Sequence, residues 1–230
     1  MARHIGIIGC SAPGAALCYE TICIEGASLL GRHQPHPEIS MHTHPFSEYM
    51  RRIENDDWKA VAELMLSSAE KLASIGAEFL VAPCNTIHLA FELATPRSPL
   101  PWLHIAEEVA REAKQSRYQR VALLGTRLLI ESQVYSTKFG LAGVEYRLPT
   151  KRERERIDRF IFDELVYNKI TPEAHSYILE VVERLRQKGC DAVGVCCTEL
   201  PLLLHATDTA LPLLDSTKIL ARAALKRAIQ

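Results

Sequence analysis

Two short stretches of the chain hold side chains suited to moving protons: APCNTIH at 82–88 and VCCTELP at 195–201. Each ends an apolar run with a cysteine, Cys84 or Cys197, followed by hydroxyl, amide or carboxylate side chains. A free thiol titrates near pH 8.5, and a helix N-terminus lowers that value. Both cysteines are expected directly before a helix start, where unpaired amide N–H groups and the dipole favour negative charge. Each can then serve as thiolate base or thiol acid near neutral pH. Two such groups on opposite sides of one carbon remove a proton from one face and return one to the other. That chemistry inverts a stereocentre and calls for no metal and no cofactor.

The neighbouring residues suit an anionic ligand. Asn85, Thr86 and the amide of Ile87 stand at the first expected helix start, with Thr198 and Glu199 in the matching place at the second. Ser11, after the turn IIGCS, and Thr126, after LLGT, are expected to complete the floor of each half. Short hydroxyl side chains and exposed amides at helix starts form anion sites.

The elements that position these groups are written twice. Residues 69–88 align without a gap on residues 182–201, so that Leu72 meets Leu185, Gly76 meets Gly189 and Cys84 meets Cys197. HIGIIGC (4–10) pairs with RVALLGT (120–126), and LPWLHIAEEVAREA (100–113) with LPLLDSTKILARAA (211–224). Three matches in one order indicate two homologous halves. In each, IGIIG or VALLG reads as a buried parallel strand, and FLVAP or AVGVC as another. Helical spacing covers 57–75 and 173–188, with Gly76 and Gly189 where a C-terminal cap belongs. LAFELA and LLLHA are expected to open helices after the cysteines.

Strands alternating with helices imply an α/β fold: two pseudo-twofold-related Rossmann-like domains with parallel sheets. The proline-rich TPRSPLP (95–101) marks the crossing, which gives domains 1–98 plus 210–230 and 99–209, the last helix (216–229) returning to the first. Open parallel sheets bind ligands beyond the carboxyl ends of their strands. The active site is therefore expected in the interdomain cleft, with Cys84 and Cys197 confronting each other. The run KRERER (151–156) should begin a solvated helix.

Composition narrows the classes. The chain has 230 residues, 47% hydrophobic, with a formal net charge of −1 and no clustered basic face, which argues against a nucleic-acid partner. It has no run of eighteen apolar residues and no secretory leader in MARHIGIIGC, so neither membrane insertion nor export is expected. Seven cysteines with no C-x-x-C pair point to free thiols in a reducing cytoplasm. Cys10, Cys18, Cys23 and Cys190 read as small buried hydrophobes, and Cys196 should face the core, opposite to Cys197. His42 and His44, two apart, share a strand face, but two ligands fall short of a metal site. GIIGCSAPG lacks the dinucleotide pattern G-x-G-x-x-G. His88 reads equally well as a locally bonded helix residue or as a partner of Cys84.

At this level PCNTIH, CCTEL and the opening GIIG resemble the aspartate/glutamate racemase family, cofactor-independent racemases that use two cysteines. The resemblance runs nearly the whole chain, through GAEFLVAPCNTIH, LLGTR, IFDEL and LPLLDSTKI. It implies Cys84 and Cys197 as the acid/base pair, carboxylate contacts from Ser11, Asn85, Thr86, Ile87, Thr198 and Lys169, and a homodimer. The implied activity is racemisation of a small acidic amino acid, aspartate or glutamate. Two departures stand out. GCSAPG replaces a Gly-Gly-Met-Gly-like loop, and HPFSEYMRRIEND offers Arg51 or Arg52 for a distal carboxylate, which leaves the substrate open. Alternatives are a maleate isomerase-like or hydantoin racemase-like enzyme, or a non-catalytic amino-acid-binding protein.

Overall fold

The computed structural model describes residues 2–30 and 36–230. By its internal contacts the chain divides into two units, one running to Ile105 and resuming at Thr217–Gln230, the other spanning Ala106–Ser216.

In the first unit β1 (Ile5–Gly9), α1 (Ala12–Leu30), β2 (Ile39–Thr43), α2 (Phe46–Glu54), α3 (Trp58–Ser74), β3 (Phe79–Val81), α4 (Phe91–Ala94) and β4 (Trp102–Leu103) follow in order. The sheet is parallel, with order β2-β1-β3-β4. Every residue of β1 is buried, because helices cover both faces of this inner strand. The strand period sorts its side chains: Ile5 and Ile7 pack with Cys18 and Ile22, whereas Ile8 packs with Met65 and Leu72.

The second unit contains α5 (Ile105–Gln115), β5 (Arg120–Leu124), α6 (Arg127–Ile130), α7 (Gln133–Ala142), β6 (Glu145–Arg147), α8 (Lys151–Asp163), α9 (Pro172–Gln187), β7 (Ala192–Val195) and β8 (Leu213–Asp215). Its parallel sheet has order β6-β5-β7-β8, the same topology again. α10 (Ser216–Ala228) packs Leu220, Ala224 and Leu225 into the first unit's core beside Ile5 and Phe79. The sheets set the division: β4 pairs with β3 and keeps the chain with the first unit as far as Ile105. β8 pairs with β7 and keeps it with the second as far as Ser216. No helix among the described residues is long and apolar enough to cross a membrane.

Helices α3 and α9 lie within a residue of the expected spans and end alike. Gly76 and Gly189 take φ of +95° and +85°. Gly76 N–H bonds to Ala73 O and Ala77 N–H to Leu72 O; Gly189 N–H bonds to Arg186 O and Cys190 N–H to Leu185 O. This is a Schellman cap built twice, and it turns each chain straight into the inner strand that carries a site cysteine. At its other end α3 is capped by Asp57, which accepts from Ala60 N–H. The charged run does begin α8, and Thr150 and Glu153 close a capping box there that the residue pattern T-x-x-E signals.

The structure corrects the two expected helix starts. After Cys84 the chain makes a 3-10 turn, Thr86–Ala90, before the four-residue α4. After Cys197 it makes only the 3-10 turn Leu200–Leu202. Proline is the reason. Pro201 stands within the second turn and removes an amide donor, and Pro96 follows closely on α4. An extended helix dipole therefore does not stand behind the amides at either turn.

His42 and His44 sit edge to face, their ring centres 4.8 Å apart. His42 Nδ1 lies 2.9 Å from Ser68 Oγ and its Nε2 lies 3.0 Å from Lys71 Nζ. The ammonium donates to Nε2, so the proton sits on Nδ1 and bonds to the hydroxyl. Partial burial, then Lys71 and His44, hold His42 below the usual histidine range; partial burial, Lys71 and Arg52 do the same for His44 against the opposing pull of Glu48. Above about pH 6.5 folded and unfolded rings are both neutral. Below it the unfolded chain binds protons that the folded sites resist, so stability should fall as pH drops from about 6.5. Thermal midpoints at pH 7.5 and 5.5 should differ more for the wild type than for a His42→Gln/His44→Gln double variant. Equal differences would discard this assignment.

Candidate active site

The ladder between the inner strands fixes what meets at the carboxyl edge of each sheet. In the first unit Ile5, Gly6 and Ile7 pair with Phe79, Leu80 and Val81. Cys10 and Cys84 each lie three residues past the last pair. Cys10 shares its face with Ile8, and Cys84 packs against the same core cluster.

Cys84 is half-buried. Asn85 is buried and leads the 3-10 turn in which Thr86 is the first residue, and the Ile87 side chain is fully buried, so only its backbone amide is open to the role expected of it. Ser11 is half-buried at the bend after β1, its carbonyl accepting from Ala15 N–H. His88 Nε2 lies 3.0 Å from the carbonyl of Ala82, and the ring stacks on Phe91 at 5.2 Å with His104 at 4.7 Å. It braces the loop that carries Cys84 against the end of β3.

Tyr49 was not singled out by sequence reasoning. Its signal was one aromatic inside the polar helix sequence FSEYMRRIE. The side chain is fully buried in the same cluster as Cys10, and its hydroxyl has no hydrogen-bond partner although Ser68 lies beside it. Burial first, then Cys10 and Cys84, push the phenol far above its ordinary range, so it stays protonated. Of the two arginines, Arg51 is exposed and pairs with Glu48 at 2.8 Å. Arg52 is the more buried, bonds to the Glu48 carbonyl at 2.7 Å and to its carboxylate, and bears on Tyr49.

The second unit repeats the plan with different chemistry. Leu124 pairs with Val195, and Cys196 N–H bonds to Leu124 O at 2.7 Å beyond the strand. Thr126 and Cys197 each lie two residues past the last pair. Thr126 stands at the N-cap of α6 in extended backbone, yet its side chain makes no cap bond and Oγ1 is buried without a partner. Cys196 turns to the other side, toward Tyr135, and complete burial raises its thiol to about 12. Cys197 is buried, and its Sγ donates to Glu199 Oε2 at 2.9 Å, with Thr198 buried between them. Thr86 holds the place of Glu199 in the first half. Lys169 is exposed on the loop after α8, following Asn168 at φ +56°.

The remaining cysteines divide by surroundings. Cys18 is fully buried and pushed up to about 12, Cys190 is raised by burial, and Cys23 is half-buried in α1. Among the described residues, no group of three or more His, Cys, Asp or Glu could hold a metal ion.

Comparison with known proteins is consistent across sequence and structure. The family described as Asp/Glu/Hydantoin racemase matches residues 16–224. The chain is 25% identical over 190 residues to the broad specificity amino-acid racemase RacX of Bacillus subtilis, covering 81% of this chain and 80% of that one. It is 28% identical over 152 residues to the glutamate racemase of Beutenbergia cavernae, covering 64% of this chain and half of that protein. Among solved structures, a Yersinia pestis protein assigned to the Asp/Glu racemases has a TM-score of 0.92 at 30% identity, covering 99% and 100% of the two chains. An aspartate racemase homologue from Pyrococcus horikoshii has a TM-score of 0.85 at 28% identity over the full length of both.

A carboxylate 2.9 Å from a sulfur favours the thiol over the thiolate. Glu199→Gln removes that charge and keeps the shape, so Cys197 should form its thiolate more readily. Its alkylation by iodoacetamide at pH 7, followed by mass spectrometry, should quicken. An unchanged rate would mean that the bond is structural only.

Proposed function

The chain belongs to the Asp/Glu/Hydantoin racemase family, and from that premise we propose that it racemises a small acidic amino acid with Cys84 and Cys197 as its two acid/base groups. The observation that carries the reading is the equivalent placement of the two cysteines, each just past an inner strand of a sheet whose topology is repeated. One thiolate takes the α-proton and the other thiol protonates the opposite face of the carbanion. Both proton transfers are accomplished by side chains of the protein, so the reading calls for no cofactor.

The differing neighbours assign a resting state. Glu199 holds Cys197 as the thiol, whereas Thr86 places no charge at the corresponding position. Cys84 then begins as the base and Cys197 as the acid, and one turnover leaves them exchanged. The amides of the turn after Cys84 and the hydroxyls of Ser11, Thr86, Thr126 and Thr198 receive the α-carboxylate and stabilise the charge that develops at the α-carbon. Asn85 adds a carboxamide donor. Arg52 and Lys169 are assigned to the distal carboxylate.

A second reading keeps the mechanism and widens the substrate. Arg52 is already committed to Glu48, which weakens its pull on a distal carboxylate, and one relative is a broad specificity amino-acid racemase. A cytoplasmic homodimer belongs to either reading, and sedimentation of the purified chain tests the dimer.

The decisive measurement is exchange in deuterium oxide, followed by proton NMR at Cα and chiral chromatography over a panel of acidic and neutral amino acids. Aspartate or glutamate should take up solvent deuterium and racemise. Cys84→Ser and Cys197→Ser should each slow racemisation by at least about a hundredfold, while each retains exchange of the enantiomer that faces the surviving thiol. Full two-way activity in either variant would refute the two-thiol scheme, and absence of label in every amino acid would refute the racemase reading.

A further inference from the structure

Cys10 stands outside the acid–base scheme, yet the fold brings it to Cys84. Both follow the paired inner strands β1 and β3, Cys84 packs against the cluster that holds Cys10 and Tyr49, and both thiols bear on the Tyr49 hydroxyl. Neighbouring strands run about 4.8 Å apart, and disulfides form between Cα atoms about 4.4–6.8 Å apart. Neither residue is locked in a regular strand: Cys10 lies in the bend before α1, and Cys84 in the loop after Pro83. Their exposures differ in a useful sense, since Cys84 is half-buried and Cys10 is 2% exposed. The first can meet a small oxidant, and the second can be reached only by a neighbour.

The second half carries no such pair. Thr126 holds the place that Cys10 has in the first half, and Cys196 faces Tyr135. Cys18 lies on the other face of the first sheet, in the cluster of Ile5 and Ile7. We infer that Cys10 and Cys84 form an oxidisable dithiol, an oxidative modification site that closes to a disulfide under a hydroperoxide and withdraws Cys84 from proton transfer.

The chemistry balances in two steps. The Cys84 thiolate attacks hydrogen peroxide, the O–O bond breaks, sulfur is oxidised to the sulfenic acid and hydroxide leaves. The Cys10 thiol then attacks that sulfur, the S–S bond forms, and its proton leaves with the hydroxyl as water. Two thiols and one peroxide give one disulfide and two waters, and a dithiol reductant reverses the change. Cys10 also protects the site, because a sulfenic acid captured by a thiol is not carried on to the irreversible sulfinic acid. The formation of the bridge depends only on the shared packing of Cys10 and Cys84; its effect on turnover rests on the racemase reading.

The test uses the full chain, treated with hydrogen peroxide in the absence of thiols, blocked with iodoacetamide and digested without reduction. Mass spectrometry should find Cys84 joined to Cys10, with fragment ions excluding Cys18 and Cys23, and dithiothreitol should abolish the linked peptide. Racemase activity should fall and return in step with the bridge. In Cys10→Ser, and in Cys10→Ala should the first fold poorly, no linked peptide forms, Cys84 proceeds to the sulfinic acid and activity does not return. Wild-type Cys84 found as sulfinic acid, joined to another cysteine, or alkylated together with Cys10 after peroxide would overturn the dithiol. A bridge that leaves turnover intact would overturn the claim that it withdraws Cys84. A bridge in a chain that racemises nothing would leave the dithiol standing and remove the racemase reading instead.

Discussion

The register of one parallel strand pair, built twice, carries the chemistry of this protein. The β1–β3 and β5–β7 ladders decide which side chains arrive together at the carboxyl edge of each sheet. A slip of one residue would turn every side chain of the shifted strand to the other face. Cys197 would then point where Cys196 now points, into an apolar setting that raises a thiol to about 12 and leaves it inert. The slip is prevented by burial on both faces: Ile7 and Ile8 sit in different cores, and neither can change sides without leaving a cavity or an overpacked neighbour. The two Schellman caps contribute by delivering each chain from α3 or α9 into its inner strand after the same number of residues.

On that shared frame the polar groups have diverged. Glu199 answers to Thr86, and Thr126 answers to Cys10. The proposed two-thiol inversion uses two groups of the same kind, which a duplicated frame supplies. It also needs one of them protonated and the other not at the start of each turnover, which an unbroken duplicate would not supply. Under the proposed scheme, the Glu199 carboxylate bonded to Cys197 is what distinguishes the two thiols. The second difference separates the halves in redox chemistry, since a thiol neighbour offers oxidised sulfur an exit that a hydroxyl neighbour does not.

Two hydroxyls are held at a cost. Tyr49 and Thr126 each bury an oxygen with no partner, and an unsatisfied buried polar group costs about 1–3 kcal/mol. Phenylalanine at 49 or valine at 126 would avoid that cost with nearly the same shape. Tyr49 lies within reach of Cys10 and Cys84, and Thr126 follows the carboxyl end of β5. Polar groups that the resting structure leaves unsatisfied at such a place are ready to meet a charge that appears during turnover or arrives with a ligand. Thr126 makes the point well, because an N-cap threonine normally spends its hydroxyl on its own helix and this one does not.

Local pattern was enough to read the strands, the helices over 57–75 and 173–188, their glycine ends, the duplication and the buried Cys196. These follow from periodicity, from the one backbone region that glycine enters freely and from alternation along a strand, all of which act over a few residues. The turns after the cysteines were misjudged as helices because apolar spacing was weighed above Pro96 and Pro201. Tertiary structure alone decided the rest: Cys10 packed in one cluster with Cys84, Tyr49 buried between the thiols, His88 tied back to Ala82. Such pairings join residues tens of positions apart, and which of them form is settled only when burial on both faces of a sheet selects one register from many that the chain would locally allow.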